Sequence, residues 1–77
     1  MHIGRHIKET VEKQGRSHSW FARQLNMVRP NVYNIYLRSS VDSELLQRIS
    51  VVLGHNFLQD LAQETEKLIN NNSDKYP

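Results

Sequence analysis

The residues with the most evident chemistry lie in one segment, RPNVYNIYLRS, which combines arginine, asparagine and tyrosine and contains no carboxylate. Asn31 and Asn34 stand three residues apart, with Arg29 and Arg38 near the ends of the segment. An asparagine side chain donates and accepts hydrogen bonds at once, which suits the N6 and N7 edge of adenine, and an arginine can bind O6 and N7 of guanine. These side chains indicate contacts to base edges. The alternative is a set of ordinary exposed polar residues on a helix.

The distribution of charge is more informative than the formal net charge of +2, because no Asp or Glu occurs from position 13 to position 41. The basic residues of that window are Lys13, Arg16, His18, Arg23, Arg29 and Arg38. A polyanion would meet this basic sector and avoid the acidic remainder of the surface. A solvated basic surface without a partner is the alternative.

The length of 77 residues allows one small domain with a modest core. The chain has no cysteine, which excludes a disulfide framework and a thiolate zinc site. No apolar run reaches the roughly 20 residues of a membrane span, and the opening MHIGRHIKE lacks the apolar stretch of a signal peptide. We therefore expect a cytoplasmic protein. Membrane-surface binding is disfavoured, because the basic sector carries Asn and Pro rather than a broad lysine-lined face.

The elements that position the basic segment are helices, because apolar residues recur at helical spacing throughout and no strand pattern competes. A first helix is predicted over residues 3–14, ending at Gly15, and a second over residues 18–25, capped by Ser17. Asn26 suits the left-handed backbone of a sharp turn.

A third helix is predicted over residues 29–38, with Pro30 in its first turn. Val32, Ile35 and Tyr36 form its inward stripe. The side chains left outward or sideways are Arg29, Pro30, Asn31, Tyr33, Asn34, Leu37 and Arg38.

Asp42 can cap a fourth helix that ends at Gly54, and Asn56 with Gln59 resembles a capping box for a fifth. The predicted apolar face of the fifth helix is Phe57, Leu58, Leu61 and Ala62. We predict one domain over residues 1–69 and a disordered polar tail over residues 70–77.

Two short helices joined by a tight turn are the elements of a helix-turn-helix, whose second helix lies in the DNA major groove. Ile3-Gly4, Ile7-Lys8, SHSWFARQLNMVRPNVYNIY, LLQRISVVLG and NFLQDL together resemble the Cro and phage-repressor type of helix-turn-helix, the XRE family, over residues 3–62. The resemblance implies a five-helix, all-α domain that reads operator DNA, usually as a dimer. It also implies transcription regulation of a bacterial or phage type.

The sequence departs from the family pattern at three places. Asn26 stands where the turn usually has Gly, and Val28 replaces the usual Ser or Thr cap of the recognition helix. Val11 and Tyr36 occupy positions where the family commonly has an Arg–Glu ion pair. Since both partners are replaced together, we expect an apolar contact there, with no charge left buried alone.

The resemblance places the base-reading positions on Arg29, Pro30, Asn31 and Asn34, although proline can offer only contact with a thymine methyl group. It places phosphate contacts at the start of the second helix on Ser17 and His18. Charge adds Arg23 and Arg38, and the hydroxyl group adds Tyr33, as further phosphate-contact candidates.

Other chemistries have weak support in the sequence. His2 and His6 are spaced for one helix face, but no third metal ligand stands near them in sequence, so we expect no metal or cofactor. Glu9 and Glu12 fit a solvated helix face better than acid–base catalysis. No nucleophile–His–carboxylate set and no glycine-rich phosphate loop occurs, so we expect neither enzymatic activity nor a small-molecule ligand.

The expected partner is double-stranded DNA, bound by a homodimer. Leu37, Val51 and the pair Leu68-Ile69 are apolar residues beyond those of the core pattern, and they could form a dimer surface or be ordinary exposed residues. The competing interpretation is a protein-interaction module, such as an antitoxin or an adaptor, that keeps the fold without reading DNA.

Overall fold

The computed structural model describes residues 1–73 as five helices without a strand, which confirms the all-α prediction for that part of the chain. The helices are α1 (Ile3–Lys13), α2 (His18–Gln24), α3 (Arg29–Tyr36), α4 (Ser43–Leu53) and α5 (Phe57–Ser73). The first three end one or two residues earlier than predicted. None of the helices in residues 1–73 has the length and apolarity needed to cross a membrane.

Two helices begin at the capping residues that the sequence marks, and α4 also ends at its predicted glycine. The Ser17 hydroxyl accepts a hydrogen bond from the Trp20 N–H at 3.0 Å, and the Asp42 carboxylate accepts one from Leu45 at 2.9 Å. Such caps satisfy backbone N–H groups that have no partner in the first turn of a helix. Gly54 ends α4 with a left-handed φ of 62°.

One hydrophobic core holds the helices together. Its buried members are Ile3, Ile7, Val11, Phe21, Ala22, Leu25, Val32, Ile35, Tyr36, Leu46, Ile49, Leu53 and Phe57. Val11 and Tyr36 both belong to this core, as expected from the replacement of an ion pair by less polar residues. Ala62, predicted to face inward, is exposed instead. It lies roughly 140° around the helix from Phe57, beyond the stripe that reaches the core.

The chain stays helical further than predicted. Helix α5 continues to Ser73, past the boundary predicted for the domain at residue 69, whereas residues 74–77 lie outside the described part and the disorder of the tail stays a prediction. Residues 65–72 are exposed along this extension. An established helix gains one hydrogen bond for each residue added, so a polar composition alone does not end it.

The N-terminus of α1 meets the C-terminal end of α3 through the backbone. The Ile3 N–H donates to the Ser39 carbonyl at 3.1 Å, and the Gly4 N–H donates to the Arg38 carbonyl at 2.8 Å. A Cβ atom at Gly4 would lie closer than 3.0 Å to three backbone carbonyl oxygens just before and at this junction. Glycine at position 4 thus permits the approach that holds the end of α3 in place.

Candidate nucleic-acid interface

A four-residue turn, Leu25 to Val28, joins α2 to α3. Asn26 adopts a left-handed φ of 55°, as its sequence predicted. The Met27 N–H donates to the Ala22 carbonyl at 2.8 Å, which closes the turn tightly against the end of α2. Val28 precedes α3 and caps it without a side-chain hydrogen bond. Pro30 in the first turn, whose ring already holds φ near the helical value, takes the place of a polar cap.

Arg48, a residue of α4, stabilises the turn between α2 and α3. Arg48 donates a hydrogen bond of 2.8 Å to the Leu25 carbonyl oxygen, at the end of α2. Carbonyl groups at a helix C-terminus lack partners within the helix, and a basic side chain is well suited to bind them. The relative position of α2 and α3 is therefore fixed by a cross-link from α4 as well as by the buried Phe21 and Ala22.

Helix α3 divides into an inward and an outward face. Its inward stripe of valine, isoleucine and tyrosine is buried, as predicted. Arg29, Pro30, Asn31 and Asn34 are all exposed. Within residues 1–73, the side chains of Arg29, Asn31 and Asn34 form no hydrogen bond or ion pair, so their polar groups remain available to a ligand.

Three of the outward residues line a shallow groove beside α3. Asn31, Asn34 and Arg38 follow i, i+3 and i+7 spacing and border this groove together with Met27 and Leu45. Residues at these spacings lie on one side of a helix. The structure thus places two amides on α3 and one guanidinium just after its end beside the same groove.

A second polar group lies where the start of α2 meets α3. His18 is half-buried, and its Nδ1 atom is 2.9 Å from the Tyr36 hydroxyl. The His18 ring also packs edge-on to Tyr33, with 5.7 Å between centroids. Ser17 and Tyr33 are exposed beside it. The predicted phosphate-contact residues at positions 17, 18 and 33 therefore come together at one edge of the helix pair.

The buried hydroxyl of Tyr36 supports this arrangement. Its burial, followed by the nearby charges of Tyr33 and Glu12 in their ionised forms, raises the pKa of Tyr36 to about 12. The hydroxyl therefore keeps its proton and can donate it to His18 Nδ1. A neutral imidazole that accepts at Nδ1 carries its own proton at Nε2. Tyr36 was predicted only as a core residue, although a buried tyrosine hydroxyl usually requires a hydrogen-bond partner.

The basic residues near this surface are not neutralised by neighbouring acids. Arg23 lies in the last turn of α2, and Arg38 follows the end of α3; both are exposed. Within residues 1–73, the ion pairs involve the N-terminal amine and two histidines, and no arginine or lysine pairs with a carboxylate. Helices α2 and α3 themselves contain no acidic residue. The positive charge of the arginines therefore remains available to an anion.

Of the nine predicted site residues, eight are exposed and His18 is half-buried. Sequence reasoning missed Gly4, Tyr36 and Arg48 as the residues that hold α2 and α3 in position. No family model matches the chain, and no curated protein or solved structure was found to match it.

Proposed function

We propose that this protein binds double-stranded DNA in a sequence-specific manner and regulates transcription, with α2, the turn and α3 acting as a helix-turn-helix of the Cro and repressor type. The observation that carries the proposal is the outward face of α3, where Arg29, Asn31 and Asn34 are exposed and have no partner within residues 1–73. The absence of carboxylates from α3 reduces repulsion between this helix and the phosphate backbones on both sides of a groove.

The dimensions of α3 suit the major groove. A helix with its side chains is about 10–12 Å across, close to the groove width of about 12 Å. Asn31 and Asn34 can each bind the N6 and N7 edge of an adenine, and Arg29 can bind O6 and N7 of a guanine. Pro30 has no N–H to donate and is limited to contact with a thymine methyl group.

The edge formed by α2 and α3 supplies the contacts to phosphate. The Ser17 hydroxyl accepts a hydrogen bond from Trp20, and its own proton is left to donate to a phosphate oxygen. His18 can donate from Nε2, since Tyr36 occupies Nδ1. Tyr33 adds a hydroxyl, and the exposed arginines at positions 23 and 38 add charge. Such contacts fix the position of a protein on the duplex, while base contacts specify the sequence.

Regulation follows from occupancy of an operator, which blocks or recruits polymerase. Two copies of a helix-turn-helix bind half-sites about 34 Å apart, one turn of DNA. The exposed Leu68 and Ile69 on the extension of α5 are the apolar residues that we propose for pairing the two copies. A dimer doubles the contact area on DNA and adds stability to a small domain.

The test is selection of binding sites from a pool of random duplexes by the purified chain at several salt concentrations. We expect enrichment of a defined sequence and a log affinity that falls with log salt by about 0.9 for each phosphate neutralised. Asn34→Ala should weaken the selected duplex by about 1–3 kcal/mol and relax specificity at one position. Arg23→Ala should weaken all duplexes alike and reduce the salt slope by about 1. Failure to enrich any sequence, with no salt dependence, would refute the proposal.

A protein-interaction module is the second candidate, and the surface of the α5 extension favours it. Leu68 and Ile69 are each 55% exposed on a helical segment that lies beyond the core, and Val51 on α4 is 83% exposed. Adjacent exposed apolar side chains such as Leu68 and Ile69 are typical of protein contacts. Affinity for duplex DNA that is weak and uniform across sequences, together with tight binding of a protein partner, would favour this alternative.

A further inference from the structure

Two histidines and one aspartate from distant parts of the chain converge near the start of α5. His6 lies on α1, His55 lies between α4 and α5, and Asp60 lies in the first turn of α5. Each histidine Nε2 atom is 2.6 Å from the same Asp60 carboxylate oxygen, Oδ2. Their ligand atoms all lie within 4.8 Å of one another.

The two imidazole rings are held in place by a buried aromatic residue. Phe57 is fully buried, and it packs edge-on to His6 at 5.1 Å and to His55 at 4.6 Å between ring centroids. The His55 N–H also donates to the Ser50 carbonyl at 3.1 Å, which fixes the backbone there. These contacts restrict the orientations of both imidazole rings, so packing supports the convergence as well as the hydrogen bonds to Asp60.

The cluster is shielded but still accessible. The side chains of His6, His55 and Asp60 are 31%, 39% and 23% exposed. Partial burial acts to raise the pKa of Asp60, but hydrogen bonds from His55 and His6 and their positive charge when protonated outweigh it, and the pKa lies below its ordinary value. Independently of its ionisation, Asp60 places one carboxylate oxygen, Oδ2, within 2.6 Å of both imidazole nitrogens.

We propose that His6, His55 and Asp60 form a binding site for a divalent transition metal ion of the Zn²⁺ type. Zinc prefers imidazole nitrogen and carboxylate oxygen, and three protein ligands leave a fourth position for water or another group. His6, His55 and Asp60 line one groove, and Glu64, one turn after Asp60 on α5, lines it as well. Its carboxylate now accepts a hydrogen bond of 2.9 Å from the N-terminal amine.

The geometry requires only a small adjustment. Ligand atoms about 2.0–2.2 Å from a tetrahedral ion stand roughly 3.4 Å apart, whereas the hydrogen-bonded atoms here are 2.6 Å apart. The distances must therefore open by less than about 1 Å, and rotation of the partly exposed Asp60 side chain can supply this change. In binding, the ion replaces the two Nε2 protons, so that each imidazole changes tautomer or loses its proton to solvent.

The bound ion would join α1, the connection before α5 and α5 itself. None of its three ligands is among the proposed DNA contacts. The metal site and the DNA-binding function can therefore each fail without affecting the other. The competing explanation is a purely hydrogen-bonded cluster in which the protons alone make the same connection.

The experiment is a titration of the untagged full-length chain with Zn²⁺ by calorimetry, and with Co²⁺ followed by visible absorption. We expect one ion per chain and a Co²⁺ spectrum of a site with nitrogen and oxygen ligands. His6→Gln, His55→Gln and Asp60→Asn should each weaken binding by at least about tenfold. The matched control is His2→Asn, because His2 lies outside the cluster and caps α1 by accepting a hydrogen bond from Arg5. Asparagine preserves that cap, and binding should be unchanged.

A measurement on the wild-type chain removes any dependence on variants that fold poorly. In nitrogen-15 NMR of the side chains, Zn²⁺ should shift the Nε2 resonances of His6 and His55 and leave those of His2 and His18 in place. The proposal is overturned if no one-to-one binding occurs. It is equally overturned if the His2→Asn variant loses affinity as the cluster variants do, or if all four histidines shift alike.

Discussion

Substitution of alanine for Gly4 tests whether the contact between α1 and α3 determines the position of α3. Alanine is the better helix former by about 1 kcal/mol, so local propensity alone predicts that Gly4→Ala stabilises the protein. The structure predicts instead that Gly4→Ala lowers the free energy of unfolding. The added Cβ would lie closer than 3.0 Å to the carbonyl oxygens of Ile35, Tyr36 and Arg38, none of which is a flexible side chain.

The magnitude follows from three contributions. Overpacking against fixed atoms costs about 1–3 kcal/mol. The hydrogen bonds from Ile3 to Ser39 and from Gly4 to Arg38 must lengthen as α1 moves away, at a cost of up to about 1 kcal/mol each. After subtraction of the propensity gain, the expected loss is about 2 kcal/mol, with an upper end of about 4. A loss of 2 kcal/mol lowers the melting temperature of a domain this small by roughly 8–16 °C.

The assay is urea unfolding followed by far-ultraviolet circular dichroism, with Gly15→Ala as the matched control. A Cβ at Gly15 meets no atom within 4 Å, but its φ is +72°. That variant therefore loses only the roughly 1 kcal/mol that a left-handed conformation costs alanine. The reasoning is refuted if Gly4→Ala is as stable as the wild type, or more stable, since the close approach would then have no energetic consequence.

Three further predictions concern single contacts. Tyr36, with a pKa raised to about 12, should make the free energy of unfolding fall by about 2–3 kcal/mol between pH 10 and pH 12, and Tyr36→Phe should remove that part of the alkaline loss measured by urea unfolding. Asp60, whose pKa is lowered, contributes stability that is present above its ordinary pKa and is lost as pH falls through its folded value. The unfolding free energy of Asp60→Asn should therefore fall less steeply below about pH 4 than that of the wild type. Arg48→Met leaves the Leu25 carbonyl without its side-chain donor and should cost about 1–3 kcal/mol in thermal melts. Arg23→Met, which loses no such bond, should stay within about 0.5 kcal/mol; equal losses would contradict this account of Arg48.

The helices could be predicted from the sequence because their signals are local. Ser17 and Asp42 cap the helices that follow them, and Asn26 and Gly54 adopt left-handed backbone where a turn was expected. The exposure of the outer face of α3 follows from the same periodicity that buries Val32. Each of these inferences needs only residues within a few positions of one another.

Contacts between distant residues could not be predicted in this way. The hydrogen bond from Arg48 to Leu25 spans 23 positions, and that between His6 and Asp60 spans 54. No pattern in one sequence encodes such pairings, since they depend on how the helices pack. The inward assignment of Ala62 failed because periodicity does not show where a helix leaves the core.

The most direct measurement of the central claim compares the affinity of two double variants for the selected duplex. Arg29→Ala with Asn34→Ala removes one guanidinium and one amide from the outer face of α3. The control, Lys67→Ala with Gln63→Ala, removes one cation and one amide from exposed positions of α5. The account predicts a loss of at least about 2 kcal/mol, or roughly 30-fold in Kd, for the α3 variant and an unchanged Kd for the α5 variant. An α3 variant that is folded and binds the duplex as tightly as the wild type would contradict it.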